Sequence, residues 1–324
     1  MGSPRVTLMR RYAIIRTLSI LPTLLGVTIA VFLLIRLIPG TVVDQMIGTE
    51  GTYSVESERA LKAYFGLDVP IYVQYGRWFS RVIRGDFGTS WRTGIPVLQM
   101  IFSRIEVTVE LTVGAMLIAL LVGIPLGILS ARRENRPVDH VARVASLFSL
   151  SIPVFWQATM MILAASLWFN WAPRADFVSL WLDPKANLAI MALPSFALGT
   201  AVAAVFMRMT RSSLLEVMRE AYIRTARAKG VSERSVVWLH ALKNSLIPLL
   251  TVAGVQTGYL LGGAIVTEEV FNLPGVGRLI LWAVFQRDYP LVQGTILFVA
   301  ALFMLTNLVV DLIYGAVDPR IRYG

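Results

Sequence analysis

Six stretches of the chain carry no charged side chain: Thr17–Ile35, Leu111–Ala131, Val144–Pro173, Ala186–Met207, Asn244–Thr267 and Tyr289–Val310. Roughly 20 apolar residues at 1.5 Å rise cross the ~30 Å hydrocarbon layer of a bilayer. The pattern therefore predicts an all-α, polytopic membrane protein with six transmembrane helices. The first window is expected to remain as a span rather than be cleaved as a signal, because no small-x-small site precedes Arg36.

The polar stretches between these windows have patterns of their own. From Ile38 to Ser103, "ERALKAYFGLDVPIYVQYGRWFSRVIRGDFG" alternates helix-like patches with Gly and Pro breaks. It predicts a small subdomain of short helices, either a structural cap or a docking surface for an external partner. The chain thus divides into residues 1–37 (N-terminus and first span), 38–103 (external insertion) and 104–324 (a five-helix core). Within the core, residues 208–243 form a polar loop. There Leu214, Val217, Met218, Ala221, Tyr222 and Thr225 fall on one helix face, and Glu216, Glu220, Arg224 and Arg227 on another. Glu220 stands four residues before Arg224, the spacing of a helical ion pair. Gly230 is a natural left-handed stop, and Ser232 can cap a helix beginning at Glu233. Ala226, Ala228 and Gly230 leave the flank of this turn nearly bare. By pattern alone the segment reads as a basic loop, a lipid-surface helix or a docking element for a cytoplasmic protein.

Composition narrows the choice. Only 15% of the 324 residues are charged, where a soluble domain carries about a quarter. The net charge of +10 carries less information than its distribution. Lys and Arg collect in the N-terminal segment, around Arg132–Arg143, between Arg208 and Lys243, and at Arg320 and Arg322; the opposite short loops hold few. With six alternating helices, that asymmetry puts both termini and the 208–243 loop in the cytoplasm. There is no cysteine, which excludes disulfides and Cys-ligated metal. None of the lysines follows a glycine, so the phosphate-binding loop G-x-x-x-x-G-K-[ST] is missing from the sequence. His140 and His240 have no metal-ligand spacing, no G-x-S-x-G elbow occurs, and no catalytic residues are expected.

Inside the bundle, "TGYLLGGA" places Gly258, Gly262 and Gly263 in the fifth window. Small residues there serve either close helix packing or the wall of a translocation path. Pro153, Pro194 and Pro248 can break helices where a cavity opens. Glu268 and Glu269 end the fifth window ahead of "FNLPGVG".

The chain resembles the binding-protein-dependent ABC importer permeases, and within them the first permease subunit of the dipeptide/oligopeptide/nickel group. The resemblance rests on "RGDFGTS" (Arg84–Ser90), "SLSIPVFW" (Ser149–Trp156), "RSSLLEVMREAYIRTARAKG", "HALKNSLIP", "LLGGAIVTEEVFNLPGVGRL", "RDYPLVQG" and the terminal "DPRIRYG", in order along nearly the whole length. It implies the type I importer permease fold and a subunit that forms half of a translocation pathway, not an enzyme. It implies that ATP and Mg are bound by two separate ATPase subunits, with no cofactor in this chain. The remaining implied partners are a second, similar permease and an external solute-binding protein, with no nucleic acid. Dipeptides, oligopeptides, glutathione, nickel chelates and oligosaccharides are the substrates of similar permeases. The ATPase-coupling loop would be carried by Tyr222, Arg224, Thr225, Ala226, Ala228 and Gly230. The general importer loop reads Glu-Ala-Ala-x-x-x-Gly, whereas Arg224, Thr225, Ala226 and Gly230 stand here, so no glutamate can be assigned the ATPase contact. Glu268 matches the family's acidic position near the external gate, and Gly258 and Gly262 are candidates for the path. Gly230→Val and Ala226→Glu are expected to uncouple such a loop, and Arg211→Ala to do much less. The rival from another class is an ATP-independent secondary transporter or channel. Proton-coupled carriers place titratable groups at mid-span, and the six windows lack them.

Overall fold

The computed structural model describes residues 4–37, 40–41, 43–44, 55–174 and 176–317; the terminal DPRIRYG motif lies outside them. Among the described residues the secondary structure is helical apart from one isolated bridge between Thr89 and Pro96. We number the helices of six residues or more. The first span is α1 (Pro4–Leu37), and the insertion holds α2 (Val55–Tyr64), α3 (Ile71–Ile83) and α4 (Val97–Phe102). The core contains α5 (Ile105–Arg132), α6 (Pro137–Ser151), α7 (Val154–Phe169) and α8 (Pro184–Met218). It continues through the loop helix α9 (Ala221–Ala228) to α10 (Ile247–Val270), α11 (Val276–Phe285) and α12 (Tyr289–Val317).

Among the described residues five helices are long and apolar enough to cross a membrane. The third window differs from its expectation as one thirty-residue stretch. It holds α6 and α7, which meet at 104°. Pro153 is the cause: its ring pushes the preceding residue out of helical geometry, and Ile152 sits extended at φ −85°, ψ 126°. The broken pair counts as a single span only if taken together, giving six. Pro194 breaks nothing, and Pro248 follows a one-residue interruption at Leu246. Pro194 lies buried inside continuous α8, and Pro248 occupies the first turn of α10, where its missing N–H has no helical partner to lose.

The centre of the bundle is α8, whose buried face includes Leu198, Val202, Phe206 and Met207. It packs along α5, where glycines let the two backbones close up. A Cβ at Gly127 would stand 2.6 Å from Thr210 Cβ, and one at Gly199 2.6 Å from the Ala115 carbonyl. Leu111, Ala115, Ala119, Ala158, Leu260 and Ala264 join this core from α5, α7 and α10. By contrast, α1 exposes Leu18, Leu21, Leu25, Ile29 and Leu33, as an element facing lipid does.

The insertion is fastened to the last span by residues that lie about two hundred positions apart. Ser90 Oγ donates to the Asp288 carboxylate at 2.5 Å, and the Arg92 N–H reaches the same oxygen at 3.3 Å. Gly88 packs on Pro290. The RGDFGTS and RDYPLVQG motifs are thus two halves of one buried joint.

Candidate functional site: the 208–243 hairpin and the opposite end of α10

At Arg219 the long helix stops. Glu220 turns extended (φ −65°, ψ 150°) and starts α9, so the single helix face expected from Leu214 to Thr225 is divided between two helices. Glu220 therefore meets Arg224 through backbone alone, its carbonyl accepting from the Arg224 N–H at 3.3 Å. Within the hairpin Arg227 instead pairs with Glu233, at 2.6 Å across the turn. This guanidinium holds the Glu233 carboxyl below its ordinary range. The turn itself follows the sequence. Gly230 has φ +79°, its N–H bonds to Arg227 O at 2.9 Å, and the Ser232 hydroxyl accepts from the Ser235 N–H at 3.4 Å.

Ile223 fixes how α9 sits, because it is fully buried in a cluster with Ile128, Leu214, Val236 and Val237. Three residues on, Ala226 also turns inward and packs against that cluster. Arg224, Thr225, Ala228, Lys229 and Gly230 form the exposed side. Tyr222 is half-exposed; its hydroxyl accepts from Asn244 at 2.8 Å and ties α9 to the returning strand of the hairpin. The return is not the plain helix expected from Glu233. Val236–Ala241 is π-helical, burying Val236, Val237 and Ala241 and leaving Trp238 and Leu239 in the open. Neither exposed side chain was singled out from the sequence, since a π turn breaks the 3.6-residue period that would have exposed the pattern.

Beneath the hairpin lies a joint the sequence did not show. Asp139 is 0% exposed and accepts both Arg211 Nε (2.7 Å) and Arg211 Nη2 (2.8 Å). Its oxygens also take the Ser130 hydroxyl at 2.5 Å and the Asn135 N–H at 3.0 Å. This overturns the expectation that Arg211→Ala is mild, because the substitution strands a buried carboxylate. Beside it, a groove of about 680 Å³ runs past Glu134, Arg211, Arg219, Glu220 and Arg224, open to the cytoplasmic side in the expected orientation.

At the far end of α10 stands Glu268, also 0% exposed. Its Oε1 accepts from the Thr108 hydroxyl of α5 at 2.6 Å, and its Oε2 from the Arg278 N–H at 2.9 Å. Thr108 in turn accepts from the Val276 N–H at 2.8 Å. The acid and the hydroxyl together satisfy the amino end of α11, which offers unpaired N–H groups and a partial positive charge. Gly275 and Gly277 leave no room for a Cβ against this carboxylate or the neighbouring Ile265 backbone. Glu268 thus joins three elements, whereas Glu269 is exposed and pairs with Arg278 at 3.5 Å. The two candidate path glycines separate. Gly258 faces the Phe303 ring of α12 too closely for any side chain, while Gly262 has open space before it, on a face shared with Val255, Tyr259 and Val266.

Two family models match the chain. "Binding-protein-dependent transport system inner membrane component" covers residues 123–323. "Binding-prot-dependent transport system membrane comp, N-term" covers residues 9–112. The dipeptide transport system permease protein DppB of Alkalihalophilus pseudofirmus is 41% identical over 97% of this chain and 100% of its own length. DppB of Escherichia coli K12 is 42% identical over 94% and 96%. The glutathione transport system permease protein GsiC of Salmonella paratyphi A is 42% identical over 97% and 100%. Among solved structures, an inward-facing MetNI methionine ABC transporter chain superposes with a TM-score of 0.55 over 68% of this chain and 97% of that one, at 17% identity, a likeness of fold.

Proposed function

The chain belongs to the family of binding-protein-dependent transport system inner membrane components, and on that premise we propose that it is a permease subunit of an ATP-driven importer. Its solute is a dipeptide or a related small molecule such as glutathione, as the names of its relatives suggest. It pairs with a second permease, two ATPase subunits that hold ATP and Mg, and an external solute-binding protein. Both of its termini, and the hairpin, face the cytoplasm. The domain division at residues 37 and 103 separates the first span, the external insertion and the conducting core.

One observation supports the coupling role above the others. α9 is a short helix set apart from α8 by the extended Glu220, anchored inward by Ile223 and presenting Arg224, Thr225, Ala228 and Gly230 outward. A docking element needs a rigid seat and a low-relief outer face, and α9 has both. The contact is made by that outer face, with Tyr222 fixing its angle. Ala226 acts from the inside, as packing. At the other membrane face, Glu268 holds the entry to α11 in place, and Gly262 lies on the open side of α10 where the path would run.

The test is reconstitution. Purified alone in nanodiscs, the chain neither hydrolyses ATP nor moves solute, because it has no phosphate loop. Co-expressed with the second permease, the two ATPase subunits and the binding protein, it supports hydrolysis stimulated by the loaded binding protein. Uptake by the isolated chain under a proton or sodium gradient sinks the importer reading.

A further inference from the structure

The insertion and the ends of two spans enclose a cavity of about 520 Å³. Arg36, in the last turn of α1, and Tyr289, the first residue of α12, stand on its wall. This puts the cavity at the level where spans leave the hydrocarbon layer. One face of α3 adds Gln74, Arg77, Trp78 and Arg81, which recur at the three-four spacing of a helix, and the end of α2, the 86–91 loop and Gln293 of α12 close the wall.

The chemistry of this lining is one-sided. Trp78 and Gln293 are 8% and 3% exposed, and Trp78 Nε1 and Gln293 Nε2 are buried donors with no partner among the described residues. Both line the cavity. Burying such a group unpaired costs about 1–3 kcal/mol, so each marks a place where an acceptor belongs. Arg36 is oriented by Gln74 Oε1 at 2.8 and 3.1 Å and by the Phe32 carbonyl at 3.0 Å, all neutral acceptors. Among the described residues, no ion pair engages Arg36, Arg77 or Arg81. Among the described residues Asp86 is the one carboxylate on the wall, and its Oδ1 is occupied by the Gly88 N–H at 2.8 Å. Three guanidinium groups and two orphaned N–H donors call for a compact anion with several acceptor oxygens.

A second hollow names the source of that anion. Tyr289 also lines a largely apolar groove of about 200 Å³ between α1 and α12, walled by Val31, Ile35, Val292 and Ile296, with Arg287 beside them. The donor-lined cavity and the aliphatic slot share that residue, as a phosphate ester with an acyl chain requires. We infer that this cavity binds the headgroup phosphate of an anionic phospholipid, whose chain lies in the α1–α12 groove. The lipid would brace the insertion against the first and last spans. The inference rests on the external placement of the insertion proposed above, which makes it an outer-leaflet lipid.

The test uses the purified complex of the two permeases and two ATPase subunits and native mass spectrometry, with dioleoyl phosphatidylglycerol as the probe. The wild-type complex should retain the lipid, and Arg77→Gln/Arg81→Gln should retain it ~10-fold less, about the 1.4 kcal/mol of a weakened charge-assisted contact. Both arginines are exposed, so the variant should fold. Arg174→Gln/Lys185→Gln, outside the cavity, should behave as wild type. Gln293→Leu should also lower retention. Equal retention by wild type and the Arg77/Arg81 variant overturns the site. Displacement of the lipid by equimolar inorganic phosphate, or by a dipeptide, overturns the lipid assignment in favour of a free anion or a solute. A cysteine at Arg84, off the cavity wall, is labelled by an impermeant maleimide from outside the cell. Labelling there only from the cytoplasm defeats the external orientation, and with it the leaflet assignment, whatever the lipid measurement gives.

Discussion

Single residues divide sharply into those whose role is local and those whose role is made by distant partners. Gly230 and Ser232 are of the first kind. A glycine followed by a capping serine specifies a turn by itself, and the φ of +79° at Gly230 is the value the sequence asks for. Since a Cβ at Gly230 meets nothing within 4 Å, Gly230→Val acts through backbone geometry, at about 1–2 kcal/mol. Gly230→Asn, which tolerates a left-handed φ, should keep uptake near wild type while the valine variant loses it at matched expression. Ala228→Glu is a cleaner probe of the outer face than Ala226→Glu, whose carboxylate would be forced into the chain's own cluster. Asp139 and Arg211 are of the second kind. They lie 72 positions apart, and neither window around them hints at the other. Arg211→Ala should destabilise the folded subunit by roughly 3–5 kcal/mol, read as a lower unfolding temperature of the complex. Asp139→Leu/Arg211→Met should lose less than either single change, because both charges leave together.

Elements were legible where apolar runs are long and uninterrupted, and less so where one residue decides between continuing and stopping. All six windows fall on helices, yet Pro153, Pro194 and Pro248 look alike in sequence and differ in fate. Only at Pro153 does the bend find support on both sides, Ser149 donating to the Thr200 carbonyl at 3.2 Å and Gln157 to the Thr200 hydroxyl at 2.6 Å. The break at Glu220 was hidden for the opposite reason, since the apolar period runs through it unchanged. Glu268 was visible as an acid at a helix end, but its link to α11 depends on Thr108, 160 positions away. Glu268→Ala would leave the Thr108 hydroxyl and the Arg278 N–H buried without an acceptor, at ~1–3 kcal/mol each. Glu268→Gln keeps one acceptor oxygen and should cost less. Measured in the assembled importer, both variants should lower the maximal uptake rate through the loosened α10–α11 corner. A pure specificity change, with the maximal rate unaltered, would show instead that Glu268 touches solute.

At the scale of the molecule, the joints lie in an order that composition could never have revealed. Near one end of the α5–α8 pair, Asn187 Nδ2 donates to Glu110 at 2.7 Å; near the other, Arg211 closes on Asp139 beside the end of α5. Between these two fastenings the glycines hold the backbones together along the whole overlap. α8 alone is roughly 52 Å long at 1.5 Å per residue, longer than the bilayer core is thick. Two rods bonded side by side over their length resist flexure far more than the same rods lying loose. The pair is therefore a girder. A thrust applied at the hairpin arrives at the opposite membrane face as displacement rather than being dissipated in curvature along the way. Gly127→Ala, which pries the pair apart at Thr210, should leave the ATPase bound and turning over while fewer solute molecules cross per ATP consumed. An unchanged ratio of solute to ATP would mean that the thrust travels by another member of the frame.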